Sequence, residues 1–123
     1  MSTLEHIITK GNRPPLGRGA QGGCEYGPNK ITCADGFTVS VIAGEGTYCS
    51  PRPDSYGGMG DAHAGFAGPF TAVEVGFPSV KPEPWDEWEK FGDGDESAPT
   101  ENVYGYVPVD LVRALIASHG GER

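Results

Sequence analysis

Residues 48–54 read Tyr-Cys-Ser-Pro-Arg-Pro-Asp, and they frame one charged group more rigidly than any other stretch of the chain. Pro51 and Pro53 each fix φ at about −65° and push the preceding residue into extended backbone. Arg52 therefore gives up little freedom when it is held in one place. Its guanidinium offers a planar donor fork suited to a carboxylate or a phosphate. Two uses fit: pairing with an internal carboxylate such as Asp54 or Glu74, or contact with a ligand. Glu74 stands between Ala72 and Gly76, small neighbours that leave room for an approaching group. Its alternative is a solvent-facing carboxylate, or one paired with Arg52 or Arg113. Strand alternation sends Tyr104 and Tyr106 to one face, where their rings could floor a shallow aromatic pocket. As core residues they would keep only their hydroxyls at the surface.

The stretch Gly11–Gly23, GNRPPLGRGAQGG, adds Arg13, Arg18 and glycine-rich backbone of the kind that cradles phosphate. It matches neither G-x-x-x-x-G-K-[ST] nor a strand–GxGxxG–helix pattern. An arm that orders on a partner or a sister subunit fits it equally well. Arg52, Tyr48, Glu74, Tyr104, Tyr106, Arg13 and Arg18 are thus the candidate ligand set, for an anionic, phosphate-bearing small molecule.

Other chemistry is poorly supported. Cys24, Cys33, Cys49 and His63 could supply four zinc ligands, but the spacing lacks the short C-x2-4-C knuckle. Cys49 with His63 and Asp61 has the residue types of a thiol nucleophile. Nothing places that thiol at a helix N-terminus, and a small buried thiol is the ordinary expectation. His6, His63 and His119 show no pairing for acid–base work. The sequence therefore predicts no catalytic residue, metal site or cofactor, and an enzyme is disfavoured.

Residues 82–101 carry eight acidic side chains and one lysine. Such a run is ordinarily a solvated surface. Trp85 and Trp88 within it, flanked by Asp86, Glu87 and Glu89, have the layout of an aromatic anchor with a charged rim. A basic host protein is the partner that this face would cover.

Net charge is −8, distributed as +2 over residues 1–30 and −10 over residues 31–123. Phosphate backbones and anionic lipid repel such a surface at long range, so direct nucleic-acid or membrane binding is not expected. The first residues lack a basic start followed by an apolar run, and no stretch approaches about 18 apolar residues. The expectation is a cytoplasmic protein with three reduced cysteines.

The elements that must position these groups are legible in part. Asp35-Gly36 marks a turn between Ile31–Cys33 and Phe37–Ala43, whose alternating β-branched residues predict a hairpin. Residues 69–79 predict a second strand, with Thr71, Val73, Val75 and Phe77 on one face. Trp85, Trp88 and Phe91, at a spacing of three, predict a short helix over 84–91, followed by a mobile 92–100. Asn102–Val107 predicts a strand leading into a helix that starts at Pro108 and stops at Gly120-Gly121. The fold class is α+β: a small antiparallel sheet of three to five strands packed by a C-terminal helix, rich in loops. The organisation is a basic Gly/Pro-rich arm over 1–30 and one domain over 31–123, with an acidic loop at 82–101.

The strings Tyr48–Arg52, Gly68–Pro78, Val103–Pro108 and His119–Gly121 resemble a family of small proteins encoded by tailed bacteriophages and prophages. That family brings no assigned activity and no functional residue. The resemblance implies an accessory factor that works inside the bacterial host, countering host defence by sequestering a small molecule or covering a host protein. A virion structural or cement protein whose arm clasps a neighbour is the alternative, and a thiol- or metal-dependent enzyme a further one. A homo-oligomer fits either of the first two.

Overall fold

A computed structural model describes residues 2–13, 28–44, 46–53, 62, 66, 68–94 and 97–123. Four strands form one antiparallel sheet in chain order: β1 (Lys30–Thr32), β2 (Thr38–Ile42), β3 (Ala72–Gly76) and β4 (Val103–Pro108). The helices are α1 (Thr3–Lys10), α2 (Trp85–Trp88) and α3 (Val109–Ser118). Single 3-10 turns lie at Glu89–Phe91 and Pro99–Glu101. The fold is α+β with a C-terminal helix, as the patterning predicts.

The β1–β2 hairpin forms on the expected register, with Ile31 opposite Val39. Asp35 starts the turn by accepting the amide N–H of Phe37 (2.9 Å), the local bond that makes Asp a turn residue. Alternation then places Val39, Val41, Val73 and Val75 on one face. There they join Tyr104, Val107 and Trp88 in the core, with Leu4, Ile7 and Ile8 of α1 and Val112, Leu115 and Ile116 of α3. Phe77 departs from the predicted face. The strand ends at Gly76, and Phe77 turns to φ 51° and is exposed.

Helix α1 lies inside the 1–30 stretch read as an arm, and it packs into the core of the domain. The signal is Ser2-x-x-Glu5, a capping-box pattern. Ser2 Oγ accepts the N–H of Glu5 (3.1 Å), and Ser2 O accepts that of His6 (3.0 Å). The N–H groups of Thr3 and Leu4 donate to Glu122 Oε1 and Oε2 at 3.0 and 2.9 Å. Three of the four orphan donors of the helix start, on Thr3, Leu4 and Glu5, are thus satisfied, two of them by a residue 118 or more positions away. Glu5 does not reach back to close the box. Its carboxylate takes both Nε and Nη2 of Arg113 on α3, at 2.8 and 2.9 Å, and this bond holds the Glu5 carboxyl below its ordinary range.

Gly11 stops α1 at φ 73°, where an added Cβ would lie 2.9 Å from the carbonyl of Ala43. Asn12, buried, then fastens the chain to the sheet. Its Nδ2 donates to Val41 O (2.8 Å) and Pro28 O (3.1 Å), and its Oδ1 accepts Ala43 N–H (3.0 Å). Arg18 and the rest of 14–27 lie outside the described residues.

Residues 92–94 and 97–100, within the 92–100 stretch expected to be mobile, are tied to β4. Asp93 N–H donates to Val103 O (2.9 Å), Gly92 bridges Tyr104, and Pro99 O accepts the Tyr104 hydroxyl (2.7 Å). No helix among the described residues is long and apolar enough to cross a membrane.

Glu122→Ala returns two helix-start donors to an unsatisfied state, so it should cost about 1–2 kcal/mol. Arg123→Ala keeps the backbone bond to Thr32 O and should cost less than about 0.5 kcal/mol. Urea midpoints of the two variants check the pair.

Candidate functional site

The β3–β4 ladder slips by one residue. Val73 pairs with Val107 but Val75 pairs with Tyr104, so Gly105 and Tyr106 together oppose Glu74. This is a β-bulge, and Tyr106 sits in it at φ 57°. Left-handed backbone costs a non-glycine residue about 1–2 kcal/mol. The slip overturns the expectation that Tyr104 and Tyr106 share a face. Tyr104 is wholly buried and Tyr106 is 46% exposed. Tyr104 belongs to the core, edge-on to Trp88 and Trp85 at 5.5 and 6.3 Å, and burial raises its phenol's pKa.

The outer face of the bulge receives the 46–53 loop. Ser50 bridges Ala72 where β2 has ended, and its N–H donates to Ala72 O (3.0 Å). Tyr48 then crosses toward β4. Its N–H donates to Glu74 Oε1 (2.9 Å), and its carbonyl accepts Tyr106 N–H (2.9 Å). Gly105 makes this crossing possible, because a Cβ there would lie 3.0 Å from Tyr48 Cβ. The two tyrosine rings meet at 5.7 Å with a 34° tilt. Arg52 lies over Tyr48, its Cζ 5.7 Å from the ring centroid.

These groups edge a cleft of about 320 Å³ lined by Tyr48, Gly105, Tyr106, Phe91, Lys90 and Asp93. Lys90 Nζ stands 5.4 Å from the Phe91 centroid. The volume lies at the small end of ligand sites, and the mixture of rings with a few charged groups is typical of them. Aromatic rings and two cations of different reach can hold a flat group and an anion together.

Of the predicted ligand set, Tyr48 and Tyr106 line the cleft, and Arg52 and Glu74 each contact Tyr48. Glu74 serves as the fastener of the loop: its carboxylate holds Tyr48, and no ion pair among the described residues joins it to Arg52 or Arg113. Asp54 lies outside the described residues. Arg13 is not part of the cleft: its backbone bridges Gly44 and its Nη1 donates to Asn12 O. Lys90, Phe91 and Asp93 were missed as site residues, because Gly92 brings them beside β4 only through tertiary pairing.

Only part of the aromatic anchor expected for a protein partner reaches the surface. Trp88 is wholly buried, and Trp85 is half-buried with Lys81 Nζ 5.0 Å from its ring. Their spacing of three faces them inward onto Tyr104. Asp86, Glu87 and Glu89 remain exposed.

Cys33 and Cys49 are wholly buried. Desolvation, with Asp35 and Glu122 nearby, raises the Cys33 thiol. Cys49 Sγ lies near the carbonyls of Gly44 and Pro51, at 3.5 and 3.6 Å. Cys24, Asp61 and His63 lie outside the described residues. Among the described residues no three His, Cys, Asp or Glu side chains gather as metal ligands would.

One pairing had no sequence signal. His119 Nδ1 lies 2.7 Å from Asp35 Oδ2, and its ring stacks on Phe37 at 3.9 Å. The Phe37 N–H, and after it His119, hold the Asp35 carboxyl below its ordinary range. The pair ties the end of α3 to the β1–β2 turn.

Set against protein-family models, curated proteins and solved structures, the chain matches none.

The two tyrosines should separate by mutation. Tyr104→Ala should cost about 3–5 kcal/mol and Tyr104→Phe about 1 kcal/mol for the lost bond to Pro99. Tyr106→Gly relieves left-handed backbone and should stay within about 1 kcal/mol of the parent. Chemical denaturation of the three variants measures this. Asp35 has a lowered folded pKa, so its contribution to stability is present above its unfolded pKa and lost as pH falls through the folded one. Asp35→Asn should therefore lower the melting temperature at pH 6, and the difference should close on acidification.

Proposed function

We propose that this chain is a non-catalytic binding protein of the bacteriophage accessory type, which sequesters an anionic, ring-bearing small molecule in the Tyr48–Tyr106 cleft and so counters a defence of the bacterial host. The observation that carries this reading is the bulge. It exposes Tyr106 at an energetic cost and lays Tyr48, with Arg52 over it, beside the exposed ring. Backbone strain of this kind persists where surrounding bonds over-determine it, and it clusters at ligand sites. The burial of Cys33 and Cys49 disfavours the thiol-enzyme alternative. The inward-facing tryptophans disfavour covering a host protein with residues 82–101.

The virion alternative rested on a clasping arm. Helix α1, part of that stretch, is instead committed to the domain's own core.

Native mass spectrometry of the protein purified from bacterial cytoplasm tests the proposal. The expected result is extra mass that disappears on denaturation, and that is lost or reduced at least about tenfold in Arg52→Ala, Lys90→Ala and Tyr106→Gly. Charge reversal at Asp86, Glu87 and Glu89 should leave it unchanged. A bare subunit mass in every preparation, or retention that depends on those three acids instead of Arg52, would sink the reading.

A further inference from the structure

The cleft contains a group that an anion-binding site does not need. Asp93 lines it together with Lys90, a cation that would hold a negative ligand. Its backbone is fixed, because its N–H donates to Val103 O and Gly92 before it bridges Tyr104. Its side chain makes no hydrogen bond or ion pair among the described residues. An ionised carboxylate accepts hydrogen bonds and donates none. Exposed and set beside Phe91, Tyr106 and Tyr48, it rewards a flat ligand that presents hydrogen-bond donors at its edge.

The ligand must then satisfy three demands at once. Its ring must lie on the aromatic surface, which every nucleobase can do because each has a π-face. Its anionic group must reach Lys90 or Arg52, which a phosphate does. Its edge must offer donors to a carboxylate. The bases differ at this last point. Guanine carries N1–H and the N2 amino group side by side, two parallel donors that match the two oxygens of one carboxylate. Adenine and cytosine set an amino group beside a ring nitrogen that accepts, and uracil sets one N–H between two carbonyls. In those three an acceptor faces the second carboxylate oxygen, and the pairing is repelled.

We infer that the cleft is selective for guanine nucleotides, with Asp93 reading the N1–H/N2–H edge while Lys90 and Arg52 take the phosphate. This rests on the cleft being an anion-and-ring site, as proposed above, and adds the identity of the ring. Asp93 acts as a specificity residue: it discriminates among bases, and the rings and cations supply the common affinity.

Isothermal titration of the full chain with GMP, IMP, AMP, CMP and UMP tests the inference. GMP should bind tightest. IMP, which keeps N1–H but lacks the N2 amine, should bind more weakly, and the other three about ten- to a hundredfold more weakly than GMP. Asp93→Asn replaces one acceptor by a donor, so it should weaken GMP about tenfold or more, while AMP, whose amino group and ring nitrogen match an amide, should bind at least as well as to the parent. The thermal midpoint of that variant should match the parent, since the fold uses only the Asp93 backbone. Equal binding of all five nucleotides, or GMP affinity indifferent to Asp93→Asn, overturns the guanine assignment and leaves the anion-and-ring site standing. No binding of any nucleotide also overturns it. The cleft itself then stands or falls on whether the native mass spectrum shows an Arg52-dependent ligand of another kind.

Discussion

The whole candidate site depends on one extra residue in one strand. Had β4 paired with β3 in regular alternation, Tyr104 and Tyr106 would lie on the same face, and the outer side of the sheet would present only Glu74 between small neighbours. The bulge opposite Glu74 breaks that alternation. It sends one tyrosine into the core against Trp88 and leaves the other in the open. The same irregularity leaves Tyr106 N–H unpaired with β3, and the carbonyl of Tyr48 takes it. The loop is therefore fastened by the defect itself. Glu74 completes the fastening from the other side through its carboxylate. A strand register, a loop path and the composition of a cleft are thus set by a single local event.

The core explains why the bulge is tolerated. Val73 and Val107 on one side of the slip, Val75 and Tyr104 on the other, all keep their apolar side chains inward. A one-residue shift ordinarily turns a strand's whole hydrophobic set outward. Here the shift is confined to the two residues that oppose Glu74, and the first of these is a glycine. Phe91 and the 3-10 turn before it pack against the same strand, so the cleft's far wall is built from the segment that buries Trp88.

Much of this architecture was readable in the residues. The β1–β2 hairpin, the strand over 72–76, the short tryptophan helix and the last strand–helix pair follow from periodicities of two and of 3.6. So does the place of Glu74 on the less apolar face of its strand. What escaped has a common cause. The bulge changes the period without changing composition, so a two-residue rule misassigns Tyr106. Trp85 and Trp88 look like an anchor because their neighbours are acidic, yet a helix of one turn can face its aromatics inward while its carboxylates face water. Helix α1 carried its signal in Ser2-x-x-Glu5, but two of its three capped N–H groups reach Glu122, and no local pattern announces a partner more than a hundred residues away. Asp35 and His119 meet for the same reason.

That distant capping has a consequence for the order in which the chain acquires structure. Helix α1 is synthesised before α3 and Glu122, yet two of its N–H groups find their acceptor only on Glu122, and Glu5 finds its cation only on Arg113. A helix of eight residues is marginal alone in water. While the ribosome is still adding the middle of the chain, α1 has neither its cap nor the α3 surface that buries its apolar stripe. Helix α1 therefore settles only once α3 and Glu122 have been made, and one closing step brings its cap and its packing surface together.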